Sequence, residues 1–249
     1  MRTQFLTLVI LALAIASAAW AQSNNTSQPA TVTFKFSWNE AHPSAYVVVV
    51  HNDGEVDYDS QDTGLTSPQV RNWPVESNAA QLSQTQDAQS QEPLRKRFRA
   101  SDTLLKNVFS LADKTRHFAG DFEFRKHAIA QSGIKTLVYD SGTEHHYTSY
   151  NWSENQAIQE LTSIFEGISN TIEAERKLEF DRRFEKLELD QDLGNLEKLS
   201  NDGKLQEVQV IAPLLRQLSA DQTVLHIAQM RAEHILRKAG LPIVPNSSQ

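Results

Sequence analysis

Glu144-His145-His146 is the group of side chains in this sequence that most resembles reactive chemistry, with Tyr147, Tyr150 and Trp152 close behind it. Glutamate and histidine are metal ligands, and a zinc ion held by them would make a hydrolytic centre. Such a site needs several donors converging at ~2.0–2.2 Å from one ion. The stretch has the character of a strand, on which successive side chains point to opposite faces. Glu144 and His146 then share one face with Thr148 and Tyr150, and His145 shares the other with Tyr147 and Ser149. Glu144 and His146 are the candidate ligands, and the fold would have to bring up a third from His127 or His117. The chain has no His-Glu-x-x-His helix motif. The preferred expectation is therefore the half-exposed surface of an ordinary strand.

Two charged groups raise other possibilities. Arg95-Lys96-Arg97-Phe98-Arg99 is the one basic run, and Arg95, Lys96, Arg97 and Arg99 are candidate contacts for an anionic polymer or lipid head group. The competing expectation is an edge strand whose charges discourage aggregation. Asp53, Glu55, Asp57, Asp59 and Asp62 invite a calcium loop. Counting from Asp57, however, Asp62 stands where such a loop needs glycine and Pro68 where it needs glutamate. Alternation with Val56 and Tyr58 makes them a solvated strand face instead. No Gly-rich phosphate loop and no Gly-x-Ser-x-Gly turn is present.

The elements that must position these residues follow from patterning. Thr31–Trp38 and Ala45–Val50 are expected strands, the second β-branched enough to be buried on both faces. His51-Asn-Asp-Gly54 supplies turn residues that tolerate positive φ, and Glu55–Asp59 closes the hairpin. Residues 61–93, rich in Gln, Ser, Asp and Asn, form an expected flexible insertion. Leu94–Arg99 is a short strand, and Ser101 caps a helix carrying Leu104, Leu105, Val108, Phe109, Leu111 and Ala112 at helical spacing. Ile134–Tyr139, a turn at Asp140-Ser-Gly142 and Thr143–Tyr150 make a second hairpin.

From residue 153 the pattern is helical. Ser153-x-x-Gln156 fits a capping box before a stripe of Ile158, Leu161, Phe165, Ile168 and Ile172. A long charged helix is expected around 175–199, broken by Ser200-Asn-Asp-Gly203. Pro213 must kink or restart the segment Leu205–Leu218. Ser219-x-x-Gln222 suggests a second capping box before a helix near Thr223–Ala239, stopped by Gly240 and Pro242. The fold class is α+β: an antiparallel sheet with an inserted helix, followed by a mainly helical C-terminal half. The organisation is a β-rich region over 31–152, a helical region over 153–240 and a flexible tail over 241–249.

Composition and the N-terminus narrow the setting. Arg2 precedes the apolar run Phe5–Ala18, and Ala19-Trp20-Ala21 follows. Charged start, apolar middle and small-residue exit predict a signal peptide over residues 1–21, cleaved after Ala21, then a flexible segment over 22–30. The run is shorter than the ~20 residues that span a bilayer, so the released chain is not expected to cross a membrane. A bacterial periplasm or exterior is the expected location. Formal net charge is −7 and becomes one unit more negative without Arg2, which argues against nucleic acid as a general partner. The absence of cysteine removes thiol catalysis, thiolate zinc sites and disulfides, so stability rests on burial.

Several of these features occur together and in order: Pro43-x-x-Tyr46-Val-Val-Val, Asp53-Gly-Glu-Val-Asp-Tyr58, a helix ending at His117-Phe118, and Lys135-Thr-Leu-Val-Tyr139 with its trailing helix. Over residues 33–175 they resemble an uncharacterised family of secreted bacterial α+β domains that open with a strand, an Asp-Gly turn and a strand. That family carries a cysteine pair where this chain has Trp38–His42, so whatever role the pair has is missing here. The resemblance implies a fold and no activity. The leading expectation for function is a non-enzymatic binding or interaction module of the cell envelope, without a cofactor. Its expected partner is an envelope or secreted protein met by the charged helix, and self-association of the helices is a further possibility. The alternative is a metal-dependent hydrolase using Glu144, His146 and a remote histidine.

Overall fold

The computed structural model describes residues 29–61 and 93–243. The expected signal peptide over 1–21, the insertion expected over 61–93 apart from its two end residues, and residues 244–249 of the tail lie outside the described residues, as does most of the expected N-terminal segment. The elements in chain order are β1 (Thr31–Ser37), β2 (Ala45–His51), β3 (Glu55–Gln61), β4 (Leu94–Arg99), α1 (Asp102–Lys114), β5 (Ile134–Asp140), β6 (His145–Tyr150), α2 (Gln156–Phe184), α3 (Glu188–Asn201), a short 3₁₀ turn (Val208–Val210), α4 (Ala212–Ala220) and α5 (His226–Lys238). The strands form one antiparallel sheet in the order β4-β3-β2-β1-β5-β6. The chain lays down β1 to β4 as a meander, crosses over through α1, and returns with the β5–β6 hairpin on the free side of β1. This is the α+β fold expected from patterning.

Alternation decides which face is covered. Val32, Phe34, Tyr46, Val48, Val50, Val56, Tyr58 and Leu137 are buried beneath α1 and α2, which contribute Leu104, Val108, Leu111, Ile158, Leu161, Phe165, Ile168 and Ile172. Phe34 and Phe165 stack with ring centroids 5.1 Å apart and planes 2° from parallel. At ~25 cal/mol per Å² of apolar area removed from water, this layer is the main stabilising term. The odd-numbered residues of β2, Val47 and Val49, are only half-buried, because nothing among the described residues covers the second face. The expectation that β2 is buried on both faces is therefore corrected.

The helical half has its own core of Leu178, Leu189, Leu193, Leu196, Leu214, Leu215, Leu218, Ala228, Ala232 and Leu236. The 29-residue helix α2 serves both cores. Its first half covers the sheet, and its second half receives α3 to α5. The charged helix expected over 175–199 is in fact two helices divided at residues 185–187, and its apolar face is packed into this second core. Pro213 restarts the chain at the beginning of α4, where a missing N–H costs nothing.

Both capping boxes are corrected. Asn155 caps α2, accepting from the backbone N–H groups of Ala157 and Ile158 at 3.0 and 3.2 Å. Ser153 instead accepts from Asn155 N–H at 3.2 Å. Ser219 lies inside α4 and donates to the carbonyl of Arg216 at 3.0 Å, while α5 starts only at His226 with no side-chain cap. The halves are joined across the linker before α4. Glu207, at φ +56°, accepts from Ser101 N–H and Ser101 Oγ–H at 2.8 and 2.7 Å. Ser101 Oγ in turn accepts from Leu104 N–H at 3.1 Å, so the N-cap of α1 is tied to the far half.

Candidate functional site

The metal candidates are placed by three different pieces of structure. α1 ends at Thr115 in a turn whose next residues, Arg116, His117 and Phe118, all have positive φ (52°, 54° and 69°). Such angles cost roughly 1 kcal/mol or more each in non-glycine residues. Burial of Phe118 and the bond from His117 N–H to the Ala112 carbonyl at 2.8 Å hold the turn. His117 is thereby laid flat on Tyr139, ring centroids 3.9 Å apart. Its Nδ1 lies 2.8 Å from Glu144 Oε2 and its Nε2 2.8 Å from Asp113 Oδ1. Two carboxylates on opposite ring nitrogens favour the doubly protonated imidazolium. Partial burial lowers the His117 pKa, but the bonds to Asp113 and Glu144 outweigh it and leave the pKa raised.

Glu144 and His117 are therefore brought together, with no ring nitrogen left over. His146 is paired with Tyr139 in the β5–β6 register, on the other side of the strand from His145, whose Nδ1 sits 3.0 Å from Asp140 Oδ2. His127 is elsewhere, meeting the edge of Phe124 with centroids 4.8 Å apart. Among the described residues no three His, Cys, Asp or Glu side chains are grouped to hold a metal ion.

The basic run and the acidic run face each other in register, Asp57 opposite Arg97 and Asp59 opposite Arg95. Arg97 Nε donates to Asp57 Oδ1 at 2.6 Å and Arg95 Nε to Asp59 Oδ2 at 2.9 Å. Arg99 donates to the Asp53 carbonyl at 3.1 Å, and Lys96 pairs with Glu175 of α2. The hydrogen bond from Arg97 holds the Asp57 carboxyl below its usual range despite some desolvation, with His51 adding to the effect. The candidate anion contacts are thus matched by carboxylates or a carbonyl of this same chain.

A different site emerges where α2 crosses the covered face of the sheet. Ser163 and Glu166, one turn apart on α2, belong to the walls of two adjoining clefts of about 580 and 400 Å³. The larger one opens between β2 and the Asp202–Lys204 turn after α3, with Phe36 and Tyr46 on the sheet side and Ser169 and Asn170 on the helix side. The smaller one lies towards β6, with Tyr150 and Lys135. Gly167 is required here, because a Cβ would stand 2.7 Å from Gln206 Cγ.

The polar groups of these walls are mostly spoken for. Tyr58 donates to Glu173 Oε1 at 2.7 Å and lies 2.9 Å from Ser169 Oγ. Ser60 Oγ–H also donates to Glu173 Oε1, at 2.6 Å, and Arg176 pairs with the other carboxylate oxygen at 2.7 Å. Lys135, a buried strand lysine, gives its three N–H groups to Ser132 O, Ser132 Oγ and Asn151 O at 3.1, 3.2 and 3.1 Å. Burial lowers its pKa, and the charges of Glu166 and Glu123 pull the other way. Burial and the charge of Glu166 push the Tyr46 hydroxyl far above the phenol range, so it is protonated at any physiological pH.

Two enclosed carboxylates of these walls lack a hydrogen bond among the described residues: Glu173 at its buried Oε2, and Glu166. Glu166 is enclosed enough that desolvation raises its pKa above the ordinary glutamate value, with Lys135 and Lys204 pulling part of the way back. A carboxylate with a displaced pKa in a concave, partly aromatic cleft has the marks of a ligand site. Sequence patterning overlooks it, because Glu166 sits between Phe165 and Gly167 as one more polar position beside an apolar stripe. A helical row Ser163, Glu166, Ser169–Asn170, Glu173 flanking that stripe is the signal that marks it. No protein-family model matches the chain, and no curated protein matches it.

Proposed function

We propose that the protein is an exported, non-enzymatic binding module of the bacterial cell envelope that takes a small polar ligand in the cleft beside Glu166. The observation that carries this reading is Glu166 itself, a half-buried carboxylate on the cleft wall with no hydrogen-bond partner among the described residues, Lys135 and Lys204 acting on it only through their charge. A hydrogen bond to a charged group contributes about 1.5–3 kcal/mol, which a ligand donor meeting this carboxylate would supply. Cleft volumes of about 580 and 400 Å³ suit a small molecule. The titratable groups that could drive a reaction are engaged: His117 at both nitrogens, Lys135 at all three N–H positions, His145 on Asp140. Export is supported by the residues before Gln22, and among the described residues no helix is long and apolar enough to cross a membrane.

The test compares wild type with Ser163→Phe, which fills the wall common to both clefts. Each protein is exposed to a periplasmic small-molecule extract, and bound components are identified after gel filtration. Components retained by wild type and lost in Ser163→Phe support the reading, and an identical bound set in both contradicts it. Stoichiometric zinc in purified wild type, lost in His146→Ala, would instead favour the metal-dependent hydrolase. N-terminal sequencing of the exported protein is expected to begin at Gln22.

A further inference from the structure

We propose that the ligand carries a primary ammonium group and that Glu166 is its counter-charge. This inference rests on the cleft being the ligand site. Three acidic side chains line the larger cleft, Glu166, Glu173 and Asp202, against Lys204 and His42. Glu173 already accepts from Tyr58 and Ser60 at one oxygen and is ion-paired with Arg176 at the other, and Lys204 is exposed, where solvent screens it. The other nearby cation, Lys135, has its N–H groups directed to three oxygens of its own chain. An anion entering the cleft therefore meets the Glu166 carboxylate without a buried donor to hold it, whereas a cation meets its complement.

The surroundings narrow the cation further. Phe36 and Tyr46 present adjacent rings, centroids 5.1 Å apart and tilted by 32°, the kind of surface that attracts a cation through the ring quadrupole. The remaining wall is rich in hydrogen-bond acceptors. Ser163 and Ser169 offer hydroxyl oxygens. Asn170 donates its amide N–H to the Lys204 carbonyl at 3.1 Å and keeps its side-chain oxygen as an acceptor. An –NH₃⁺ group has three N–H donors to satisfy such a wall. A quaternary ammonium has none and would leave the acceptors and the carboxylate without hydrogen bonds, at a cost in affinity.

The test is a set of titrations followed by ¹H–¹⁵N amide spectra at pH 7.5, using n-butylammonium, butyrate and tetramethylammonium as probes. Saturable shifts at Tyr46, Ser169 and Asn170 are expected with n-butylammonium. Tetramethylammonium is expected to bind at least ~10-fold more weakly, a difference worth about 1.4 kcal/mol. Glu166→Gln is expected to weaken n-butylammonium by at least the same ~10-fold factor while keeping the dispersed amide spectrum of wild type. Should Glu166→Gln fail to fold, Ser163→Phe takes its place and must abolish the shifts. Butyrate binding as tightly as n-butylammonium, or an affinity unchanged in the variant, would overturn the ammonium assignment. If n-butylammonium causes no shifts while extract components still distinguish wild type from Ser163→Phe, the ammonium class falls and the cleft stands. If neither experiment registers binding, both fall.

Discussion

Tyr58 spans the interface between sheet and helix with a single hydroxyl, meeting Ser169 and Glu173 of α2 at 2.9 and 2.7 Å. Tyr58→Phe keeps the ring packing and removes one donor from a buried carboxylate, so a loss of about 1–3 kcal/mol in urea unfolding is expected. An unchanged midpoint would show that Glu173 does not depend on it. Gly133 makes a steric prediction at the same scale. It has φ +92°, and a Cβ there would lie 2.6 Å from Phe36 Cε2 and 2.8 Å from Trp38 Cβ. Gly133→Ala is expected to cost more than ~1 kcal/mol, and more than Gly203→Ser, whose surroundings are open and whose φ of +68° leaves backbone strain alone. Some of this was legible in the sequence. The alternation of Glu144, His145 and His146 placed the two imidazoles on opposite faces, and the structure has them so. The Glu144–His117 bond was not legible, because it depends on a left-handed turn at 116–118 that no turn residue announces.

At the scale of elements, the joint between α2 and α3 holds the clearest pH response. Asp181 is buried, and Lys177 forms an ion pair with Asp192 at 2.7 Å while lying 3.7 Å from Asp181. Burial raises the Asp181 carboxyl to about 7, the neighbouring Asp192 carboxylate adds to this, and Lys177 opposes it. The folded chain therefore keeps a proton that the unfolded chain, with an ordinary carboxyl near 3.8, has lost. Between those two values the native state binds more protons, so this group's contribution to stability falls as pH rises through that window and stays low above it. Asp181→Asn should flatten that slope, gaining at least ~1 kcal/mol on wild type between pH 5 and pH 8 by chemical denaturation. A parallel pair of curves would contradict the assignment. His117 has the same sign. Its raised pKa stabilises the fold fully below the unfolded value and less as pH climbs past the folded one, so His117→Gln should cost most in mild acid.

Element boundaries also show what local patterns can miss. Ser153-x-x-Gln156 has the form of a capping box, yet Asn155 is the better placed acceptor and starts the helix two residues on. Ser219-x-x-Gln222 fails because α4 continues through Ser219 and Asp221 organises the next turn, accepting from Thr223 N–H at 2.9 Å. The charged stretch 175–199 carried enough leucines to be helical, but it divides at 185–187, beside the turn that precedes α5. There Lys186 donates to Thr223 at 2.7 Å, a contact no local spacing foretells.

Across the whole molecule, hairpins were visible in sequence because both strands and their turn are local, as at Asp53-Gly54. The sheet order was not, because β1 pairs with β5 across the full meander and the α1 crossover. The helical half packs on the second part of α2 around Leu189, Leu193 and Leu215. Leu193→Ala should therefore cost about 2–5 kcal/mol locally and speed amide exchange through α3–α5. Protection in β1, β2 and β5 is expected to stay at the wild-type level; a matching loss there would make the two cores one cooperative unit. The Glu166 cleft lies at the meeting of these halves, between β2, α2 and the turn after α3, which is why no single stretch of sequence announces it. The most direct measurement is a ¹³C titration of the Glu166 carboxyl with and without saturating n-butylammonium. The account requires a pKa above the ordinary glutamate value in the free protein, moving down when the amine is bound. An ordinary pKa that the amine leaves unmoved would contradict it.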